Sequence, residues 1–108
     1  MSQVIQYLNP VISSLNAVVA DTVGDVLAFK NPKIKYYLQY MATIPSGQAN
    51  LFFEASLDGA NFFIISNVVL SADGFTTLNG GPPALFVRAR VTGLANGRTV
   101  SASIVIAE

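Results

Sequence analysis

The stretch "FFEASLDGANFFII", from Phe52 to Ile65, places large apolar side chains on both sides of a short polar turn. Asp58–Gly59 is a strong reversal signal, because glycine adopts a positive φ angle at little steric cost and aspartate favours turns. The flanking residues therefore predict two antiparallel strands of one hairpin. Alternation along a strand sends successive side chains to opposite faces. One aromatic row, with Phe53, is expected to enter the core, and the other row is expected to need a partner.

The same period-two pattern extends through most of the chain after Val26. In "IKYYLQYMAT", for example, Leu38 lies on the face expected to be core, and Tyr37 and Met41 point the other way. Turn signals such as "NP", "PSG", "ADG", "NGGPP" and "ANG" separate the alternating segments. We predict strands over 11–19, 24–30, 34–43, 49–57, 62–70, 74–78, 84–92 and 99–107. Short strands at this spacing indicate an all-β fold, an antiparallel β-sandwich of jelly-roll or immunoglobulin-like type with about eight strands.

The chain of 108 residues fits a single domain. We predict an extended N-terminal arm over residues 1–10 and one β-sandwich domain over 11–108. A helix is the alternative for the first twenty residues, since Asn9–Pro10 resembles a helix start. Apolar residues also recur there at helical spacing, at Val4, Leu8, Val11, Leu15 and Val18. The abundance of β-branched residues favours the arm, leading into a strand.

Charged residues make up 11% of the chain, where about 25% is usual. Six basic and six acidic residues cancel, so neither nucleic acid nor an anionic membrane is an expected partner. No apolar run approaches the ~18 residues of a membrane helix, and the N-terminus is a poor secretory signal. A small domain with so few charges exposes uncharged surface, which favours permanent assembly. The alternative is a monomer coated with Ser, Thr, Asn and Gln.

The absence of His and Cys excludes histidine-dependent triads and thiolate or imidazole zinc sites. Four carboxylates, those of Asp21, Asp25, Asp58 and Asp73, lie in or beside predicted turns. Two of them could converge as a glycosidase pair, or could bind calcium with Asn61. Capping of turn amides by aspartate is the favoured explanation. We expect no enzyme activity, no cofactor and no metal.

Two arginines, Arg88 and Arg90, are two residues apart and therefore lie on one face of a predicted strand, beside Phe86. They could form a small site for an anion or a sugar. The favoured alternative is pairing with Glu54, on a neighbouring strand or across a subunit boundary, because the planar guanidinium tolerates burial.

Three segments resemble small β-sandwich structural proteins encoded by tailed bacteriophages. The segment "EASLDGANFFII" is similar to that family's "GSLDG(T/N)NW" motif, and "SLNAVVADTVGDVLAF" is similar to its opening strand pair. The closing segment "LFVRARVTGLANGRTVSASIVIAE" resembles its final hairpin. The resemblance covers residues 14–108. Phe62 replaces the family's Trp, and Ala55 replaces a Gly.

The resemblance implies a virion component, made in the host cytoplasm, that decorates or cements the capsid surface, commonly as a homotrimer, and it implies no catalytic residue. The expected partners are the major capsid protein and further copies of this chain. We predict that the interface contains Val4, Tyr7, Leu8, Phe52, Phe62, Arg88 and Arg90, with the arm reaching a neighbouring subunit. The alternative is a glycan-binding module on a tail or fibre, which would use the loops at 57–61 and 79–83.

Overall fold

The structure, a computed structural model, describes residues 11–79, 81–94 and 97–107. These residues form strands and no helix, so the predicted all-β class is confirmed, and nothing within these ranges is a helix that could span a membrane. The nine strands of the described ranges are β1 (Val11–Val18), β2 (Thr22–Val23), β3 (Leu27–Ala28), β4 (Lys35–Thr43), β5 (Ala49–Ser56), β6 (Phe63–Leu70), β7 (Gly74–Asn79), β8 (Phe86–Thr92) and β9 (Thr99–Ala107).

Two antiparallel sheets make up the sandwich. Sheet I has the order β1-β9-β4-β7, and sheet II has the order β2-β8-β5-β6, with β3 also paired to β8. If β2 and β3 are taken as one interrupted strand, the pairing is nested: first with last, second with second to last, and so on to the β5–β6 hairpin. Nested pairing of this kind is the jelly-roll topology, which decides between the two sandwich types predicted.

The core lies between the inward faces of the two sheets, and it contains the apolar rows that alternation predicts. Phe53 is completely buried at the centre of β5, between Leu51 and Ala55, which are also completely buried. Leu38 of β4 and Ile104 of β9 close the core from sheet I. A well-packed sandwich of this size buries enough apolar surface to fold without a metal or a disulfide.

The strand predicted over 24–30 is wrong in its bounds and its continuity, because two short strands, β2 and β3, take its place. The interruption has a local cause. The Gly24 N–H donates to Ala89 O at 2.7 Å, and the Asp25 N–H donates to Ser14 O at 2.9 Å. Because Gly24 bonds to sheet II and Asp25 bonds to sheet I, the backbone at these two residues does not continue the ladder of hydrogen bonds along β8.

Ser14 provides the matching irregularity on the first strand. The register of β1 against β9 shifts between Ser13 and Leu15, so that Ser14 and Leu15 are both buried. The Ser14 hydroxyl donates to Asp25 O at 2.7 Å and accepts from the Ala89 N–H at 2.8 Å. A single buried hydroxyl therefore joins β1 of sheet I to β8 of sheet II.

Residues Val11–Val18 form strand β1 and not a helix, which confirms the predicted strand after the arm, with a local irregularity at Ala17, where φ is 49°. The predicted arm over residues 1–10 lies outside the described residues, and so do its candidate contact residues Val4, Tyr7 and Leu8.

Candidate functional site

The outer face of sheet II carries a carboxylate held by two arginines. Glu54 of β5 lies directly opposite Arg88 of β8, and Arg90 lies two residues further along β8. Arg88 Nε donates to Glu54 Oε1 at 3.0 Å, while Arg90 donates to Glu54 Oε2 through Nε at 3.2 Å. The Glu54 side chain is 7% exposed, against 24% and 27% for Arg88 and Arg90. The predicted pairing of both arginines with Glu54 is confirmed, and it occurs within one chain.

Two aromatic rings complete this arrangement. The Arg88 Cζ atom lies 3.9 Å from the centre of the Phe62 ring, and the Arg90 Cζ atom lies 4.3 Å from the centre of the Phe52 ring. Both phenylalanines are half-buried. The structure therefore brings together four of the predicted interface residues around Glu54. We call Phe52, Glu54, Phe62, Arg88 and Arg90 the Arg–Phe cluster.

The Arg–Phe cluster is a fixed surface with unused hydrogen-bonding capacity. Two guanidinium groups and one carboxylate leave a local charge of +1. Each guanidinium has five N–H donors, and Glu54 contacts the Nε of each and one terminal nitrogen of Arg90, at 3.1 Å. A cation stacked on an aromatic ring is held in place, so it loses less side-chain entropy when a partner binds. The cluster is therefore suited to binding an acidic or carbonyl-rich surface.

The "SLDGAN" loop beside the cluster is held by its own hydrogen bonds. Asp58 Oδ1 accepts from the backbone N–H groups of Ala60 and Asn61, both at 2.8 Å, and Oδ2 accepts from Asn61 Nδ2 at 2.8 Å. Hydrogen bonds from Asn61 and Ala60, with a further one from Ser56, hold the pKa of the Asp58 carboxyl well below its usual range. Gly59 has a φ angle of 78°, as a tight turn requires. Asp58 is therefore a turn-capping residue.

Two other candidate carboxylates also cap loops. Asp21 Oδ1 accepts from the Leu94 N–H at 2.7 Å, and Asp73 Oδ1 accepts from the Ile44 N–H at 2.8 Å. The described part of the chain contains no group of three or more acidic side chains that could hold a metal ion. The interpretation that aspartate caps the amides of its own turn is confirmed for Asp58, whereas Asp21 and Asp73 each bond a backbone N–H group that is distant in the chain.

The outer face of sheet I is the second candidate surface. Four large apolar side chains on it are exposed: Val11 at 56%, Tyr37 at 45%, Met41 at 55% and Phe75 at 65%. Alternation predicts that Tyr37 and Met41 point away from the core. It does not reveal Phe75 as their neighbour, because the pairing of Met41 with Phe75 depends on the register of β4 against β7.

An open cleft lies at the end of the sandwich where β4 begins. Its volume is about 450 Å³, and its walls include Lys33, Lys35, Tyr37, Pro82 and Pro83. The buried Tyr36 hydroxyl donates to Pro82 O at 2.9 Å, which fixes the loop on one side. Burial raises the pKa of this hydroxyl above its ordinary value. Two lysines beside a tyrosine and two prolines could contact an anionic or sugar group.

A scan against protein-family models matches no family, and a search of the curated proteins finds no match. Among solved structures, the fold is similar to that of the SPBc2 prophage-derived protein YomS, with a TM-score of 0.65 at 12% identity, over 98% of this chain and 100% of that chain. A chain of the disulfide-linked pili of Bacillus endospore appendages gives a TM-score of 0.46 at 8% identity, over 98% of this chain and 95% of that chain. This second likeness is too weak to support an argument. The first shows that the β-sandwich fold is shared with a prophage-derived protein along nearly the whole of both chains.

Proposed function

We propose that this protein is a structural virion protein of a tailed phage, which decorates or cements the capsid surface through contacts with the major capsid protein and with copies of itself. The fold shared with a prophage-derived protein supports the phage setting. The jelly-roll topology is also common among viral capsid domains. Function depends on the chemistry of the surface and not on the fold alone.

The observation that carries the proposal is the amount of exposed apolar surface. Among the described residues, eleven large apolar side chains are exposed, in a chain with only 11% charged residues. Four of them, Val11, Tyr37, Met41 and Phe75, share the outer face of sheet I, and exposed apolar residues that lie together on a small protein mark interaction sites. A cementing protein acts by burying such surface at junctions between capsid subunits, and it needs no catalytic group.

The Arg–Phe cluster is the surface that we assign to the capsid. Arginine and aromatic residues are enriched at the centres of protein interfaces and among the residues that dominate binding energy. The arginine side chains of the cluster remain partly exposed in the free protein. This suits a surface that stays in contact with water until it binds its partner. Its charge of +1 fits an acidic or carbonyl-rich patch on the capsid protein.

Labelling of intact virions tests the location. Antibodies against the purified protein, detected with immunogold on particles of the phage that encodes it, should mark the heads. Labelling confined to tails would contradict the capsid assignment and favour a glycan-binding module on a tail or fibre. Purified particles without any label would contradict a virion role.

Binding of variants to capsids tests the assigned surface. The double variant Arg88→Gln with Arg90→Gln should bind capsids lacking the protein at least about tenfold more weakly, a loss of ~1.4 kcal/mol. Arg98→Gln is the matched control, because Arg98 donates to Gln48 O and Gly93 O, away from the cluster. Equal binding by the double variant and the control would rule out the cluster as the capsid contact.

A glycan-binding module on a tail or fibre is the second candidate, favoured by the cleft that Lys33, Lys35, Tyr37 and Pro82 line. This cleft includes part of the predicted loop at 79–83. Binding to host glycans on an array, lost in Lys33→Ala with Lys35→Ala, together with no affinity for capsids, would favour this function over the first.

A further inference from the structure

The outer face of sheet I is almost free of charge. Three rows of outward residues cross the middle of this sheet, because the register aligns Val105 with Tyr37, Ser103 with Gln39, and Ser101 with Met41. Lys35, Thr43 and Thr99 lie in the rows at its two ends. The outward residues are Val11, Ser13, Thr99, Ser101, Ser103, Val105, Lys35, Tyr37, Gln39, Met41, Thr43, Phe75 and Thr77. Lys35, at the start of β4, is the only charged residue among them. We call this surface the uncharged face.

We propose that the uncharged face binds a second copy of this chain, and that it, rather than the Arg–Phe cluster, is the self-association surface. The inference rests on the self-contacts in the proposed function and names the surface that makes them. It does not depend on where the assembled protein is located.

The pattern of rows fits a second copy. A middle row of hydroxyl and amide side chains, with Ser103, Gln39 and Thr77, lies between a row with Val105 and Tyr37 and a row with Met41 and Phe75. The same face on another copy offers apolar groups to the apolar rows and both donors and acceptors to the polar row. A charged partner surface would instead bury charges without partners, at a cost of several kcal/mol per ion by general estimates.

The area is sufficient for a stable contact. Four strands spaced about 4.8 Å apart, with the longest about 30 Å in length, give a face of roughly 550 Å² in plan. Side chains that project from a pleated sheet increase the accessible area beyond this, towards the ~800 Å² per partner of a standard interface. Phe75, on the edge strand β7, continues the apolar surface to the rim of the sheet.

The two outer faces differ in the way that permanent and reversible interfaces differ. Permanent interfaces are the more hydrophobic kind. The uncharged face combines exposed apolar side chains with hydroxyl and amide groups that a second copy can hydrogen-bond, and copies of the same chain are present as soon as it folds. The Arg–Phe cluster keeps charged groups in contact with water, so it can remain open until the capsid is encountered.

Sedimentation velocity over a concentration series tests the proposal. The wild-type protein should sediment as an oligomer, and Met41→Lys with Phe75→Lys should sediment as a monomer with an unchanged far-ultraviolet circular dichroism spectrum. Val69→Lys is the matched control, because Val69 lies on β6 of sheet II and is 56% exposed, against 55% for Met41. This control should remain an oligomer.

Three outcomes would overturn the proposal: a monomeric wild type at every concentration, an oligomer that survives both lysine substitutions, or equal dissociation of the Val69→Lys control.

If the lysine variant does not fold, oxidation of Met41 in the wild type by hydrogen peroxide provides a second test. Mass spectrometry should show slow sulfoxide formation at Met41 when the protein is concentrated and fast formation after dilution. An equal rate at both concentrations would contradict burial of the uncharged face. The two proposals can fail separately. If the protein forms oligomers through this face but antibodies against it do not label virions, the proposed function is contradicted and this inference is not.

Discussion

The Arg88 Cζ atom lies 3.9 Å from the centre of the Phe62 ring, so a cation covers an aromatic residue that immediately follows the "SLDGAN" loop. The same arginine donates to the Glu54 carboxylate. Phe62 is therefore packed, within its own chain, against an arginine of the surface that we propose for the capsid. The same contact therefore belongs both to the packing of the hairpin and to the candidate interface.

A double-mutant cycle measures this contact. Phe62→Leu, Arg88→Met and their combination should give a coupling free energy of about 0.5–1 kcal/mol in urea unfolding. Phe63→Leu is the control for loss of an aromatic ring, because Phe63 is 45% exposed and Arg88 lies over the Phe62 ring instead. The cycle that combines Phe63→Leu with Arg88→Met should show no coupling. Equal coupling for Phe62 and Phe63 would show that the stacking does not contribute.

Removal of the Glu54 carboxylate should destabilise the fold. Glu54→Leu leaves two neighbouring guanidinium groups without a counter-charge, at a cost of about 2–3 kcal/mol in the free energy of unfolding. This figure is below that for a fully buried pair, because about a quarter of each arginine side chain is exposed. Asp25→Asn, at an exposed side chain, should change stability by less than about 0.5 kcal/mol. Urea unfolding at neutral pH measures the free energy of unfolding of both variants. Equal values for Glu54→Leu and Asp25→Asn would contradict the role of Glu54.

Gly24 should not tolerate a side chain. A Cβ atom there would overlap the Ser14 side chain and lie 2.8 Å from Ala89 O. Because the carbonyl oxygens around Gly24 belong to fixed strands, Gly24→Ala should cost about 1–3 kcal/mol. Gly74→Ala is the control, since a Cβ at Gly74 meets nothing within 4 Å. Thermal unfolding of the two variants compares them directly, and a Gly24→Ala variant as stable as Gly74→Ala would contradict the close approach of the chain to Ser14.

The stability contributed by Asp58 should depend on pH in the acid range. Its carboxyl pKa is lower in the folded state than the ordinary value of about 3.9, because backbone N–H groups bond the charged form. A lowered folded pKa gives stability that is present above the unfolded pKa and is lost as the pH falls through the folded pKa. Asp58→Asn should therefore lose less stability than the wild type between neutral pH and pH of about 3.

Ser56→Ala provides a graded comparison for Asp58. This change keeps the carboxylate but removes the hydrogen bond that Ser56 Oγ donates to Asp58 Oδ1 at 2.8 Å. Its loss of stability in acid should lie between those of the wild type and Asp58→Asn. Chemical unfolding at the two pH values measures all three proteins, and the same acid loss in all of them would contradict the assignment to Asp58.

Local patterns in the sequence were sufficient for most of the strands and for the inward-facing rows. Alternation depends only on neighbouring residues along the chain, so it correctly predicts that Phe53 and Leu38 are buried and that Tyr37 and Met41 point outward. The turn at Asp58 is also local, because each of its hydrogen bonds reaches at most three residues along the chain.

The strand predicted over 24–30 failed for the opposite reason. Its interruption depends on Ser14 and Ala89, which are distant from Gly24 in the chain and approach it only after the two sheets have packed. No pattern within residues 24–30 contains that information. Buried N–H groups have to be paired. Those of Gly24 and Asp25 are paired with Ala89 O and Ser14 O, and not with consecutive residues of the β8 ladder.

The amino-acid sequence by itself determined an all-β chain with alternating strands, a hydrogen-bonded turn and too few charges to cover its surface. Only the tertiary structure decided which side chains became neighbours across the sheets. It placed Arg88 against Glu54 and Phe62, and Met41 beside Phe75, because strand order and register join segments that are far apart in the chain. Those pairings set the difference between a charged face and an uncharged face on the same molecule.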